Sequence, residues 1–422
     1  MWEPNSTVYR IHRLNLTTQS WVNVGPDVDA RPRSSQDALW DGSKLYIVSN
    51  AKPSHRDQDG SAEAKISRFS YDSGSQTYSL DSDFPVSLAN TGKTRAMVLT
   101  KDSNGKLWVT WTEDGKVMVN RTVGSDDNWG SPFVLPAQEN DLKTDGDKTI
   151  DISSIVAFGG DKIGILWGNQ NADTSLTHDD RKYFFSVHFD GDPDTDWQSR
   201  EDVLPNISST SENNPVADDH INLACDINNG TLVAALKTGL GGGVQPRGVV
   251  AKRDPNGTWT EAVVGDGFDD HTRLVVLYDS SLDSIYVFAK SGTSSPETIF
   301  MKAAHINNLT FQPGFGRTFF LSDTDQDINN ATSTKQCVNS TTGLLVLASA
   351  RDTGYYLHNY LALGGNATPV AVDDTVATPE DTPVDIDVTA NDTDQNGSID
   401  VTTVALVDTP NNGSVAIDPA TG

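Results

Sequence analysis

The residues best equipped for chemistry in this chain recur as six short polar clusters. They read Ser35-Gln36-Asp37, Lys93-Thr94-Arg95, Lys148-Thr149-Ile150-Asp151, Asp218-Asp219-His220, Asp270-His271-Thr272-Arg273 and Thr332-Ser333-Thr334-Lys335. Each is read as the opening of a strand, and the openings fall roughly 50 to 65 residues apart, the scale of one four-stranded propeller blade. His220 and His271 are of the type that moves protons near neutral pH. Arg95, Arg273 and Lys335 can neutralise a carboxylate or sulfate, and arginine can do so with two parallel bonds. Asp37 and Asp151 complete the set. Asp-Asp-His occurs in two successive clusters, 218–220 and 269–271. One reading is a ring of ligand-contacting groups at a channel mouth. The other is structural: polar strand openings that hydrogen-bond to their neighbours and close the ring.

Further candidates stand near the same rim. Lys237 precedes the glycine-rich run Gly239 to Gly243, which is not a phosphate loop because no Gly-Lys-Ser/Thr follows it. Arg351, Tyr355 and His358 fall in the last blade, where a tyrosine near histidine and arginine could serve polysaccharide lysis or simply pack. Metalloprotease, nucleophile-elbow and paired-cysteine zinc motifs are all absent from the sequence.

Strands must position these groups. Runs such as Lys44 to Val48, Lys106 to Trp111, Lys162 to Trp167, Thr231 to Leu236, Ser284 to Phe288 and Gly343 to Leu347 are β-branched or aromatic. Most follow turn pairs such as Asp41-Gly42, Asn104-Gly105 and Asn229-Gly230. Such pairs favour tight hairpins because the turn needs positive φ. The expectation is an all-β chain with a β-propeller over residues 1–363. Seven blades are favoured, the first truncated to Val8–Arg13 and Trp21–Val24. In the alternative, that piece closes the last blade of six. A linker over 364–369 leads to a partial Ig-like β-sandwich over 370–422.

The net charge of −27 opposes non-specific nucleic-acid binding, which needs a basic surface. The longest apolar runs fall short of the 18 residues that would span a membrane, so membrane insertion is not expected. Cys225 and Cys337, placed in different blades, are expected as buried free thiols, with a disulfide between them the less favoured reading. Met1-Trp2-Glu3-Pro4 lacks the basic and apolar regions of a signal peptide. Asn-x-Ser/Thr sites such as Asn5, Asn120 and Asn339 are read as chance in a chain rich in these residues.

Beyond Asp352 there is no lysine or arginine. The segments Pro369-Val370-Ala371-Val372-Asp373-Asp374, Pro379-Glu380-Asp381-Thr382, Ala390-Asn391-Asp392-Thr393-Asp394 and Gly413-Ser414-Val415-Ala416 resemble the cadherin-like, VCBS-type Ig-like repeats of large bacterial surface proteins. That resemblance implies an extracellular or cell-surface location and structural Ca²⁺ held by Asp373, Asp374, Glu380, Asp392 and Asp394, hard oxygen ligands of the kind Ca²⁺ prefers. Solvated acidic loops are the other reading. The segments Asp102 to Val109, Asp218 to Leu223 and Thr332 to Gln336 resemble secreted bacterial sialidase-like (BNR-type) propellers. The resemblance implies a polysaccharide or glycoconjugate partner, with an arginine triad drawn from Arg95, Arg273 and Arg351. The chain departs from true sialidases in its Asp-boxes: Asp254-Pro255-Asn256-Gly257-Thr258-Trp259 is only a partial echo. Two functions follow as expectations: a propeller that binds or processes an anionic glycan, as a sialidase-like hydrolase or a lyase if catalytic, or a non-catalytic adhesion module.

Overall fold

The computed structural model describes residues 8–31, 34–51, 63–88, 94, 96–145, 148–171, 175–209, 214–226, 230–291, 297–322, 324–364, 370–393, 399 and 401–418. Six antiparallel sheets follow one another along the chain, each built from neighbouring strands. Their innermost strands are Ser34–Trp40, Met97–Lys101, Ser153–Phe158, Ile221–Leu223, His271–Asp279 and Ile328–Thr332, which we number blades one to six. Second strands match the apolar runs read from the sequence, for example Leu107–Glu113 in blade two and Lys162–Gly168 in blade three. The last blade has three strands, ending with Tyr355–Leu361.

The seven-blade expectation is corrected to six. The N-terminal strands Tyr9–Asn15 and Ser20–Asp29 form a separate two-stranded hairpin. It sits against the outer strand of blade six, where the Trp21 indole N–H donates to His358 Nδ1 at 3.2 Å and the rings meet edge to face. It also reaches blade one, where Arg13 donates to Gln76. The hairpin thus occupies the seam where the ring closes, as the six-blade alternative supposed. A lone two-stranded ribbon is marginal, so its stability comes from these contacts.

Apolar clusters fill the seams between blades one and two, two and three, three and four, four and five, and five and six. Trp108, Trp111, Trp167, Phe185 and Phe288 are buried in them. Among the described residues no such cluster spans blades six and one. That seam is closed by polar contacts instead. Gln336 donates through Nε2 to the Trp40 carbonyl at 2.9 Å and accepts the Trp40 N–H at 3.3 Å. Lys335 bonds both Asp37 of blade one and the Leu99 carbonyl of blade two.

The free-thiol expectation is also corrected. Cys225 and Cys337 form a disulfide with Cα atoms 5.4 Å apart across 112 residues. They follow the innermost strands of blades four and six, which converge where the ring narrows. Non-adjacent blades therefore meet there, which linear spacing does not show.

Past Leu361 the described residues are mostly irregular and exposed, with a bridge between Val370 and Thr393 and a short 3-10 turn at Val401–Thr403. No helix in the described residues is long and apolar enough to cross a membrane.

Candidate functional site

The starting ends of the innermost strands surround a cavity of about 440 Å³, lined by His220, Asn222, Arg273, Asn330 and Ser333, with Ala96 and Ile152 opposite. This is the channel mouth. Three polar clusters proposed from sequence contribute to it directly: those of blades four and five, and Thr332 and Ser333 of blade six.

Blade four supplies a charged network. His220 Nδ1 lies 2.6 Å from Asp218 Oδ1 and 2.8 Å from Asp219 Oδ1. A carboxylate only accepts, so Nδ1 carries the proton. Among the described residues, no hydrogen bond engages Nε2, which remains available to a ligand. Burial opposes the charged ring, but the two carboxylates outweigh it and raise the pKa of His220 above 6.5. Lys237 Nζ donates to Asp218 Oδ2 at 2.9 Å. Beneath them the buried Tyr183 hydroxyl donates to the Lys237 carbonyl at 2.6 Å and accepts the Asp218 N–H at 2.9 Å. Tyr183 comes from the third strand of blade three and fixes the segment that carries His220. Sequence reasoning missed it because a strand tyrosine carries no signal that separates such a role from packing.

Blades five and six use one device twice. In blade five Thr272 faces Lys290 and Val275 faces Phe288, so two residues oppose one and the strand bulges. Blade six repeats this where Asn329 faces Ser349 and Thr332 faces Leu347. Each bulge holds a non-glycine residue in the left-handed region, Arg273 at φ 53° and Asn330 at φ 51°. Such residues are uncommon and strained, and bulges of this kind re-aim a side chain. Both line the mouth cavity. The Arg273 guanidinium has no hydrogen bond or ion pair among the described residues, whereas Lys237, Lys335 and Arg351 are all paired. Asn222 and Asn330 were not singled out from sequence, although the Asn329-Asn330 pair is a tolerated left-handed signal.

The other candidates lie elsewhere. His271 is buried between blades four and five, not at the mouth. Its Nε2 donates to the Phe315 carbonyl at 3.1 Å, and its pKa is lowered by burial and by Lys302. The repeated Asp-Asp-His is therefore not a repeated site. Asp151 is fully buried and accepts from the Lys143 N–H, the Gln170 N–H and Gln170 Nε2. Burial nonetheless pushes its pKa up to about 6. Asp37 and Lys335 pair with each other inside the channel. The cluster 332–335 lies at the end of its strand, not at its opening, so Lys335 lines a second cavity of about 310 Å³ with Lys101, Asp226 and the disulfide. Arg351 pairs with Asp327 at 3.2 Å, Tyr355 is exposed on the outer strand of blade six, and His358 is taken by Trp21. Arg95 lies outside the described residues.

Asp218, Asp219 and His220 form the one group of three metal-type ligands gathered among the described residues. His220 and Lys237 already serve those carboxylates. In the C-terminal segment Asp392 accepts the Val372 N–H at 2.8 Å. Asp373, Asp374 and Glu380 are exposed, and Asp394 lies outside the described residues.

Fold and site define a six-bladed β-propeller with a polar channel mouth and a distinct C-terminal segment. Residues 366–422 match the Bacterial Ig domain family. No curated protein sequence matches the chain. Among solved structures it is similar to the polysaccharide lyase Uly1, at 10% identity over 84% of this chain and 84% of that one, with a TM-score of 0.49. It is also similar to a mutant of the Aleuria aurantia lectin in complex with Fucα1-6GlcNAc, at 12% identity over 80% and 97%, TM-score 0.42. A third is a protein of unknown function from Dyadobacter fermentans, at 12% identity over 79% and 93%, TM-score 0.42.

Proposed function

We propose that the propeller recognises an anionic glycan at its channel mouth, outside the cell. The observation that carries this reading is Arg273. Its backbone is strained into a left-handed bulge, and it lines the mouth with no partner for its guanidinium among the described residues. An unpaired cation in a chain of net charge −27 is matched to a carboxylate or sulfate on its ligand. His220, protonated on Nδ1 and open at Nε2, supplies a second donor, and Asn222 and Asn330 can meet hydroxyl groups. The disulfide supports an oxidising compartment.

The same His220 Nε2 is placed as a proton donor or acceptor if the bound glycan is also cleaved, with Arg273 neutralising a uronate beside it. Binding of an acidic-polysaccharide panel by the wild type and by Arg273→Ala, with parallel assays for reducing ends and unsaturated uronates, tests both steps. Binding unchanged in Arg273→Ala would overturn the recognition reading. Binding without product leaves a lectin-like function.

A second reading, an adhesion module of a larger surface protein, is favoured by the Bacterial Ig segment at 366–422. In that reading the segment tethers the propeller, and Asp373, Asp374, Glu380, Asp392 and Asp394 take Ca²⁺. Calcium titration followed by calorimetry tests it.

A further inference from the structure

Among the described residues the seam between blades six and one lacks the apolar filling of the other five and holds a cleft of about 500 Å³ in its place. A volume of this size falls in the range of small-ligand sites. Blade one contributes Trp40. Blade six contributes Leu345 and Leu347 from its second strand, with Thr332, Thr334 and Thr342 around them. Trp40 is half-buried, and its indole N–H has no acceptor among the described residues, unlike those of Trp108 and Trp259, which donate to Asp102 and Glu201. The Thr332 hydroxyl likewise has no partner among the described residues. Among the described residues no charged side chain lines the cleft.

We propose that this cleft is a second glycan subsite, which takes a neutral pyranose of the same chain whose acidic unit occupies the mouth. The inference rests on the reading of the mouth given above. A pyranose presents an apolar C–H face and a rim of hydroxyl groups. An indole face with a free N–H, two leucines and threonine hydroxyls complement both. An acidic sugar would find no cation here. Thr332 and Ser333 line the cleft and the mouth cavity alike, so one oligosaccharide can enter both. The ligand class is therefore a polymer that combines acidic and neutral sugars, not a run of uronates alone.

The test uses the full chain and three probes: glucuronate, a neutral xylotriose, and a tetrasaccharide alternating glucuronate with N-acetylglucosamine. Binding is read by calorimetry and saturation-transfer NMR in wild type, Arg273→Ala, Trp40→Phe and Thr334→Trp. The last variant fills the cleft from an exposed position and gives up the bond from the Gln336 N–H to the Thr334 hydroxyl, so urea unfolding of each variant is read beside binding. Trp40→Phe and Thr334→Trp are expected to leave glucuronate binding unchanged and to weaken the tetrasaccharide roughly tenfold. Arg273→Ala is expected to lose glucuronate while keeping a weak xylotriose signal that disappears in Thr334→Trp. Tetrasaccharide affinity unchanged in both cleft variants, with glucuronate still dependent on Arg273, would overturn the cleft alone. Glucuronate binding independent of Arg273 would overturn the mouth reading. No binding of any probe would overturn both.

Discussion

Lys335, just beyond the innermost strand of blade six, is bonded to the carboxylate of Asp37 in the innermost strand of blade one, 298 residues earlier. The same ammonium bonds the Leu99 carbonyl of blade two. One side chain therefore joins three blades across a seam that has no apolar cluster among the described residues. Lys335→Met leaves Asp37 partly buried without its cation. Because both side chains keep about a fifth of their exposure, the expected loss is about 1–3 kcal/mol, less than for a fully buried pair. Urea unfolding checks this, and Lys335→Met with Asp37→Leu should recover part of the loss. Loss of ligand binding with unchanged stability would instead return the pair to a binding role.

The disulfide between Cys225 and Cys337 restrains a long segment of the unfolded chain. Replacing both cysteines with alanine, or adding reductant, should cost about 2–4 kcal/mol. Urea midpoints with and without reductant would show it. Identical midpoints would mean that the crosslink does not constrain the unfolded state.

His220 sets a pH dependence. Its folded pKa lies above 6.5 because of Asp218 and Asp219, so its contribution to stability is complete below the unfolded value and fades as pH rises through the folded one. Affinity for an anionic ligand should fall over that same rise, as the ring loses its charge. His220→Gln should flatten the profile. A wild-type profile that is flat through and above pH 6.5 would remove His220 from recognition.

Arg273 holds a conformation that glycine adopts without strain. Arg273→Gly should raise stability by about 1 kcal/mol and abolish anion binding. Thermal unfolding and calorimetry on the same preparation would read both effects. A destabilised variant would show that the side chain itself supports the fold.

Much of the ring was legible because its second strands are long apolar runs behind turn pairs. The run Lys44 to Val48 lies within Lys44–Ala51, and Leu107–Glu113 follows Asn104-Gly105. Blade number was not legible, because the hairpin Tyr9–Asn15 and Ser20–Asp29 reads alike as part of a blade or as a seam closure. Side-chain direction was harder still. In a regular strand His271 and Arg273, two residues apart, would share a face. The bulge at Arg273 breaks that alternation, sending one into the core and the other into the mouth. The sixth cluster was set too far along its strand because Asn329-Asn330, the true opening, carries no charge. The disulfide was the less favoured reading because its cysteines belong to blades separated by another blade.

Trp21 and His358 stand 337 residues apart, so the hairpin can make its blade-six contact only after blade six exists, although blade one is within its reach much earlier. During synthesis at 5–20 residues per second, the hairpin would wait roughly 20 to 70 s for its partner strand. Over that interval the edge that meets blade six is open to chaperones, to proteases and to the same strand of a neighbouring nascent chain. Completing the ring is thus a late step in the folding of the propeller, and the stage at which exchange between chains competes with correct closure.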